Sequence, residues 1–268
     1  MTDISLGQFI PGNSCIHRLD PRTKILLMIA YIVMVFLVKS MVLYLVPLAL
    51  IVLVLLLSRI SLRYMLRSLR PIRWLLLFMF VLNIFFSQPE NATVWWQWRF
   101  LVVTREGFLS SLLLSLRLIF LVTGTSLMTL TTSPIALTDG LERLLAPLRR
   151  LRFPAHELAL MMTIALRFIP TLMEEADKIR KAQMARGADF ESGNIIRRAK
   201  AMIPILVPLF VSALRRADEL AIAMESRCYH GGEGRTRLHQ LHFRWADLWA
   251  AGVVGVMIGF IIVVGRLM

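Results

Sequence analysis

Few residues in this 268-residue chain have the types and spacing that chemistry at a fixed site requires. His239 and His242 stand three apart, but a zinc site needs further ligands close by and none follows them; interfacial histidines are expected there. Gly231-Gly232-Glu233-Gly234-Arg235-Thr236 has the glycine density of a phosphate loop. It lacks the Gly-Lys-Ser/Thr ending and spacing of a Walker A motif, so a loop cap is expected. No other segment supplies that motif, so the chain itself should not hydrolyse ATP. Cys15 and Cys228 are far apart, match no zinc spacing and suggest no disulfide framework. An intramembrane enzyme would need a convergent acid, base or metal constellation, and there is none to be found.

What remains is guanidinium chemistry. Arg117 lies midway along an apolar stretch, and an intramembrane charge is a functional candidate by default. The alternative is a buried arginine satisfied by helix carbonyls or by hydroxyls such as Ser115 or Thr123. Arg186 and Arg227 end two long helical patterns, in Ala182-Gln183-Met184-Ala185-Arg186-Gly187 and Ala223-Met224-Glu225-Ser226-Arg227-Cys228. Either alone is accounted for by the preference for cations at a helix C-terminus. Two in matched positions suggest docking to a cytoplasmic partner, because the guanidinium fork suits carboxylates and backbone carbonyls.

The elements that must position these groups are membrane helices. Hydrophobic residues make up 57% of the chain, yet 31 Lys+Arg oppose 17 Asp+Glu for a net charge of +14. Mean hydropathy is +0.67 and the pI is near 11.1. A soluble enzyme is less apolar, a disordered polybasic tail far less so, and a nucleic-acid role would rest on net charge alone. An integral membrane protein with its charge packed into loops accommodates both facts. Ile25 to Leu57 is too long for one helix across a core of about 30 Å, so two spans joined at Lys39-Ser40 are expected, with Asp20-Pro21 capping the first and Ser40 able to cap the second. Further spans are expected from Pro71 to about Ser87, from about Glu106 to Thr132 and from about Trp245 to Val264. The fold class is thus all-α, a polytopic membrane protein of about five spans. Four lie in residues 1–132 and one in 245–268, with a cytoplasmic coupling-helix region at 133–244. Ala251, Gly255 and Gly259 form a small-residue face in the last span, which predicts tight packing.

Orientation follows from the arginines. Arg59, Arg63, Arg67, Arg70 and Arg73 crowd the second connection, whereas the next carries Trp95, Trp96 and Trp98 with only Arg99 and Arg105. The positive-inside rule puts the arginine loop and the N-terminus in the cytoplasm and the C-terminus outside. The start of the chain lacks the basic region and immediate apolar run of a cleavable signal peptide.

Between the last two spans, Pro134 and Asp139 open a short helix ending near Arg149-Arg150-Leu151-Arg152. A long helix then runs from Ala155 to Ala188. Its apolar first half, Leu158 to Leu172 with Arg167, is too short to span comfortably and should be buried or interfacial. Gly187 is placed to cap its end. A second helix begins apolar at Ile203, where Pro204 and Pro208 should kink or restart it.

These stretches carry a resemblance. Gly7-Gln8-Phe9-Ile10-Pro11-Gly12-Asn13-Ser14 and His17-Arg18-Leu19-Asp20-Pro21-Arg22-Thr23-Lys24 resemble the amino terminus of the transmembrane T component (EcfT/CbiQ-like) of energy-coupling factor (ECF) transporters. Leu166-Arg167-Phe168-Ile169-Pro170 and the two arginine motifs resemble its coupling-helix signatures, so the likeness covers essentially the whole chain. It implies a non-catalytic coupling subunit of an ATP-driven importer of vitamins or other micronutrients, in a bacterial or archaeal cell membrane. It implies as partners two ABC-type ATPase subunits and a substrate-binding membrane (S) subunit, no nucleic acid, and no cofactor on this chain, ATP being bound by the partners. In that family each of two arginines seats in a groove of one ATPase. Carried over, the docking residues are Ala185, Arg186 and Gly187, a complete match, and Ser226, Arg227 and Cys228, which departs at both flanks. Arg117, Arg167, Pro170, Pro204 and Pro208 are structural or coupling candidates. An autonomous secondary transporter is the alternative, though the spans contain almost none of the acidic residues ion coupling uses.

Overall fold

A computed structural model describes residues 9–86, 94–98, 101–151, 153–190, 192–231 and 241–267. Gly7, Gln8, Arg152, Gly232 to Thr236 and His239 lie outside the described residues, as do the side chains of Trp95, Trp96 and Trp98. Nine α-helices are described: α1 (Pro21–Leu37), α2 (Leu45–Ser58), α3 (Leu62–Leu69), α4 (Arg73–Phe86), α5 (Arg105–Thr131), α6 (Pro134–Leu145), α7 (Ala155–Ala185), α8 (Ile195–Glu225) and α9 (Trp245–Leu267). An antiparallel hairpin of β1 (Val94–Trp98) and β2 (Leu101–Thr104) stands where the sequence suggested only a connection. The contacts divide the chain into a unit of residues 1–141 with 241–268 and a unit of residues 142–240.

The first unit is built on apolar helices whose ends are marked as the sequence expects. Asp20 caps α1, its carboxylate accepting from Arg22 N at 2.9 Å, with Pro21 in the first turn. The second helix differs: a 3-10 turn at Val42–Tyr44 leads into it, and Ser40 makes no side-chain cap. Met34 and Val35 of α1 and Val38 just past it are buried with Leu50, Ile51 and Leu55 of α2, Phe120 and Leu127 of α5, and Val254 and Ile261 of α9. Two phenols make this packing specific. Tyr31 donates to Phe120 O at 2.8 Å and Tyr44 donates to Leu113 O at 3.1 Å, with the Tyr44 and Phe120 rings stacked. Gly124 is required there, since a Cβ would overlap the Tyr31 ring. Outside this core Phe36, Leu56, Trp74, Phe78, Val256 and Phe260 are exposed, an apolar shell that suits lipid and not water.

Helix lengths change the expected spans. The apolar half of α7, expected to be too short to cross and buried or interfacial, belongs to a continuous helix that is long enough and largely unburied. The helices α5, α7 and α9 are each long and apolar enough to cross a membrane, and α3 with α4 makes a fourth candidate, bent by 57°. The chain is a polytopic membrane protein. At 17 and 14 residues, α1 and α2 reach only about 20–25 Å. Neither is among the helices long enough to cross, so the five expected spans become three, or four with the bent pair. The small face of α9 is open: nothing in the described chain approaches a Cβ at Gly255 or Gly259, because α9 packs through Val254 and Ile261 instead.

In the second unit, α7 and α8 are both 31 residues long. The prolines do not restart either helix. Pro170 lies inside α7, and Pro204 and Pro208 inside an α8 that begins eight residues before the expected Ile203 start. Each proline withholds one N–H, freeing the carbonyls of Leu166, Lys200 and Pro204. All three prolines are exposed, so no neighbouring helix has to accommodate the rings.

Candidate functional site

The site consists of two helix ends. Helices α7 and α8 pack together and are joined by an ion pair, Arg216 Nη2 to Glu175 Oε2 at 2.9 Å. Arg186 stands eleven residues beyond Glu175, and Arg227 eleven beyond Arg216. Eleven residues make just over three whole turns, about 16 Å along a helix. Each terminal arginine is therefore carried the same distance from the bridge and returned to nearly the bridging face.

The ends are built alike. At the first, Ala188 N donates to Gln183 O at 3.0 Å and Gly187 N to Met184 O at 3.0 Å, with Gly187 at φ +86°. At the second, Tyr229 N donates to Met224 O at 3.0 Å and Cys228 N to Glu225 O at 2.9 Å, with Cys228 at φ +56°. Both are Schellman motifs, in which a left-handed residue lets the chain fold back onto carbonyls that the helix leaves without donors. Arg186 and Arg227 are the residues just before the turn. There the helix carries its partial negative charge, so a guanidinium is favoured. Ala185, Arg186 and Gly187 are exposed, and so are Ser226, Arg227 and Cys228. The departure of the second motif from Ala-Arg-Gly does not change its backbone. What the pair offers is two outward cations on rigid helices, able to pair with carboxylates or carbonyls of another surface.

Of the remaining candidates, Arg167 is exposed on α7, one turn before Pro170. Arg117 belongs to the other unit and is placed by packing. Its Nη2 donates to Val38 O at 3.1 Å, the carbonyl just past α1, and its guanidinium lies 5.5 Å from the Phe36 ring centroid. Ser115 and Thr123 are not its partners; Thr123 donates to Ile119 O on its own helix. His242 is exposed, and no group of metal-binding side chains occurs among the described residues.

A polar cluster in the first unit has no counterpart in the sequence reading. Lys24 Nζ donates to Thr131 O at 3.0 Å, Thr132 Oγ1 at 3.1 Å and His17 O at 3.3 Å. Asp247 accepts from Arg244 N at 2.7 Å, capping α9, and from Asp20 N at 2.9 Å, tying α9 to the start of α1. His17 is held by Ile10 and Ser14. Its Nε2 must donate to Ile10 O at 3.1 Å, since a carbonyl only accepts, which leaves Nδ1 to accept from Ser14 Oγ at 2.7 Å. Burial holds the His17 pKa below its usual value; Lys24 adds to that effect and the Ile10 bond opposes it. The one available signal was positional: Asp247 falls in the first turn of the last span, where a carboxylate caps.

Known proteins match this chain along its length. A family model described as cobalt transport protein, CbiQ, matches residues 12–238. An Acidaminococcus fermentans protein is 58% identical over 247 residues, 92% of this chain and 91% of its own. A Thermosediminibacter oceani protein is 57% identical over 96% of both chains. One from Bacillus subtilis is 45% identical over 267 residues, 100% of this chain and 98% of its own. All three relatives bear the name energy-coupling factor transporter transmembrane protein EcfT.

Proposed function

The chain belongs to the CbiQ family of EcfT-type transmembrane components of energy-coupling factor transporters, and from that premise we propose that it couples two ABC-type ATPase subunits to a substrate-binding membrane subunit. As a non-catalytic component it holds no ATP; ATP binds the partners and no cofactor binds this chain. The observation that carries the reading is the pair of helix ends with the same hydrogen-bond pattern, presenting Arg186 and Arg227 each eleven residues beyond a member of the Glu175–Arg216 bridge. Each arginine seats in one ATPase, and the bridge makes the two helices respond together when the ATPases close or part.

Exposed apolar side chains on the same helices, Met161, Met162 and Met173 of α7 and Ile203, Val207 and Phe210 of α8, are the surface against which the substrate-binding subunit rests. Methionine adapts its shape to a moving partner. The free energy for motion comes from differential contacts in the two ATPase states. The arginine-rich connection and the N-terminus face the cytoplasm and the C-terminus faces out. The cargo is a vitamin or other micronutrient chosen by the substrate-binding subunit.

The test is Arg186→Glu with Arg227→Glu in reconstituted complexes. Reversing a close interfacial charge costs several kcal/mol, so ATPase association and uptake are both lost. Unchanged association sinks the reading.

A further inference from the structure

The short helix α3 divides its surface three ways. Met65 turns inward onto the core, and Leu62 and Leu66 point away from it, 61% and 58% exposed. Arg63 and Arg67, with Arg70 just past the helix in a helical conformation, occupy the remaining third: at 3.6 residues per turn they fall within about 60° of one another. All three are exposed, and none forms an ion pair among the described residues. No Asp or Glu occurs anywhere from Pro21 to Pro89. A fourth cation, Arg59, stands at the end of α2 in a left-handed conformation, φ 57°, where glycine would be unstrained.

The neighbours fix the depth of this surface. The apolar helix α2 ends at Ser58 and the apolar helix α4 begins at Arg73, bent by 57° from α3. An arginine-bearing helix between two apolar ones is suited to the level where hydrocarbon gives way to water, the bend then marking where the α3–α4 pair turns into the bilayer. There exposed leucines can enter the acyl boundary while the arginines stay among headgroups. An unpaired arginine row at that level is complementary to phosphate, which accepts the guanidinium fork in two parallel hydrogen bonds.

We propose that the Arg63–Arg67–Arg70 face of α3, with Arg59 beside it, is a binding site for anionic phospholipid headgroups. The site goes beyond an orientation signal, which needs only net charge in a connection and no common helical face. It is independent of the ATPase-docking role, and its lipid titrations use this chain alone.

The full chain, purified in a neutral detergent, is titrated with phosphatidylglycerol and separately with phosphatidylcholine, reading bound lipid by native mass spectrometry and thermal midpoint. Phosphatidylglycerol binds in preference and raises the midpoint, and both effects fade with added salt. In the R63Q/R67Q/R70Q variant its affinity falls at least about tenfold, given the attraction each cation adds at an anionic surface; the matching triple lysine variant keeps most of it. Equal affinity for the two lipids in the wild-type chain overturns the proposal. So does unchanged phosphatidylglycerol affinity in the glutamine variant, above all if that variant instead loses its ATPases, which would assign the face to an acidic protein surface. Should the triple variant fail to fold, the two-lipid and salt comparisons on the wild-type chain still decide.

Discussion

Gly187 and Cys228 fill the same left-handed position in the same hydrogen-bond pattern, one at the end of α7 and the other at the end of α8. Glycine adopts that conformation freely, whereas a residue with a Cβ is strained there by about 1–2 kcal/mol. No atom of the described residues lies within 4 Å of a Cβ placed on Gly187, so an alanine there would meet only the backbone penalty. Gly187→Ala should destabilise the chain by about 1 kcal/mol and Cys228→Gly should stabilise it by up to that amount. Thermal unfolding of both variants in detergent reads this directly. Because Arg227 keeps its place in the turn, Cys228→Gly should leave ATPase association intact. A loss of association there would mean that the thiol itself belongs to the docking surface.

Arg117 gives a second prediction. Its bond to Val38 O, 3.1 Å long, and its contact with Phe36 join the middle of α5 to the end of α1. Arg117→Met fills much of the same space but leaves that carbonyl without its donor. Hydrogen bonds from a charged donor contribute about 1.5–3 kcal/mol, so the variant should unfold earlier in detergent by that order. ATPase association should be unaffected. Full stability combined with lost uptake would instead show that the charge acts in transport.

Much of this was legible because it rests on local chemistry. Asp20-Pro21 and Ala185-Arg186-Gly187 each carry their own capping signal within a few residues, and the apolar runs announce the membrane helices. Two kinds of feature were not. Pro204 and Pro208 suggested a break, since each removes one helix hydrogen bond and crowds the carbonyl four residues back, yet α8 runs through both, the long apolar helix around them outweighing that local cost. The second kind is long-range. The Glu175–Arg216 bridge joins residues forty-one apart, and Asp247 meets Asp20 across 227. No spacing rule reaches so far. The arginines between α2 and α4 were visible as a charge signal, while their gathering on one face of α3 needed a helix to be known there.

The long-range cluster supplies the third prediction. Lys24 has all three ammonium hydrogens engaged, by His17 O, Thr131 O and Thr132 Oγ1, and Asp247 anchors the next strap at Asp20. Lys24→Met should cost about 3 kcal/mol, since it leaves buried acceptors without a donor. Asp247→Asn should cost about 2 kcal/mol through its weakened bonds to two backbone N–H groups. The two charges also attract each other, so the double variant should lose less than the sum of the single losses. Strict additivity in a chemical unfolding cycle would show that the two straps are independent.

His17 makes the stability of the N-terminal segment depend on pH, and the sign follows from its environment. In the folded chain its pKa lies below the ordinary 6.5, chiefly through burial and further through Lys24. The folded state therefore binds fewer protons than the unfolded one between those two values. Stability from this group is complete above about pH 6.5 and is lost as pH falls through that window. Protonation would add a second ring N–H opposite Ser14 Oγ, which now donates to Nδ1, and would place a cation near Lys24. His17→Gln removes the titration while keeping a donor for Ile10 O. Between pH 7.5 and pH 5, the wild-type unfolding midpoint in detergent should fall more than that of His17→Gln. Parallel profiles would locate the acid sensitivity elsewhere, and a steeper fall in the variant would reverse the sign.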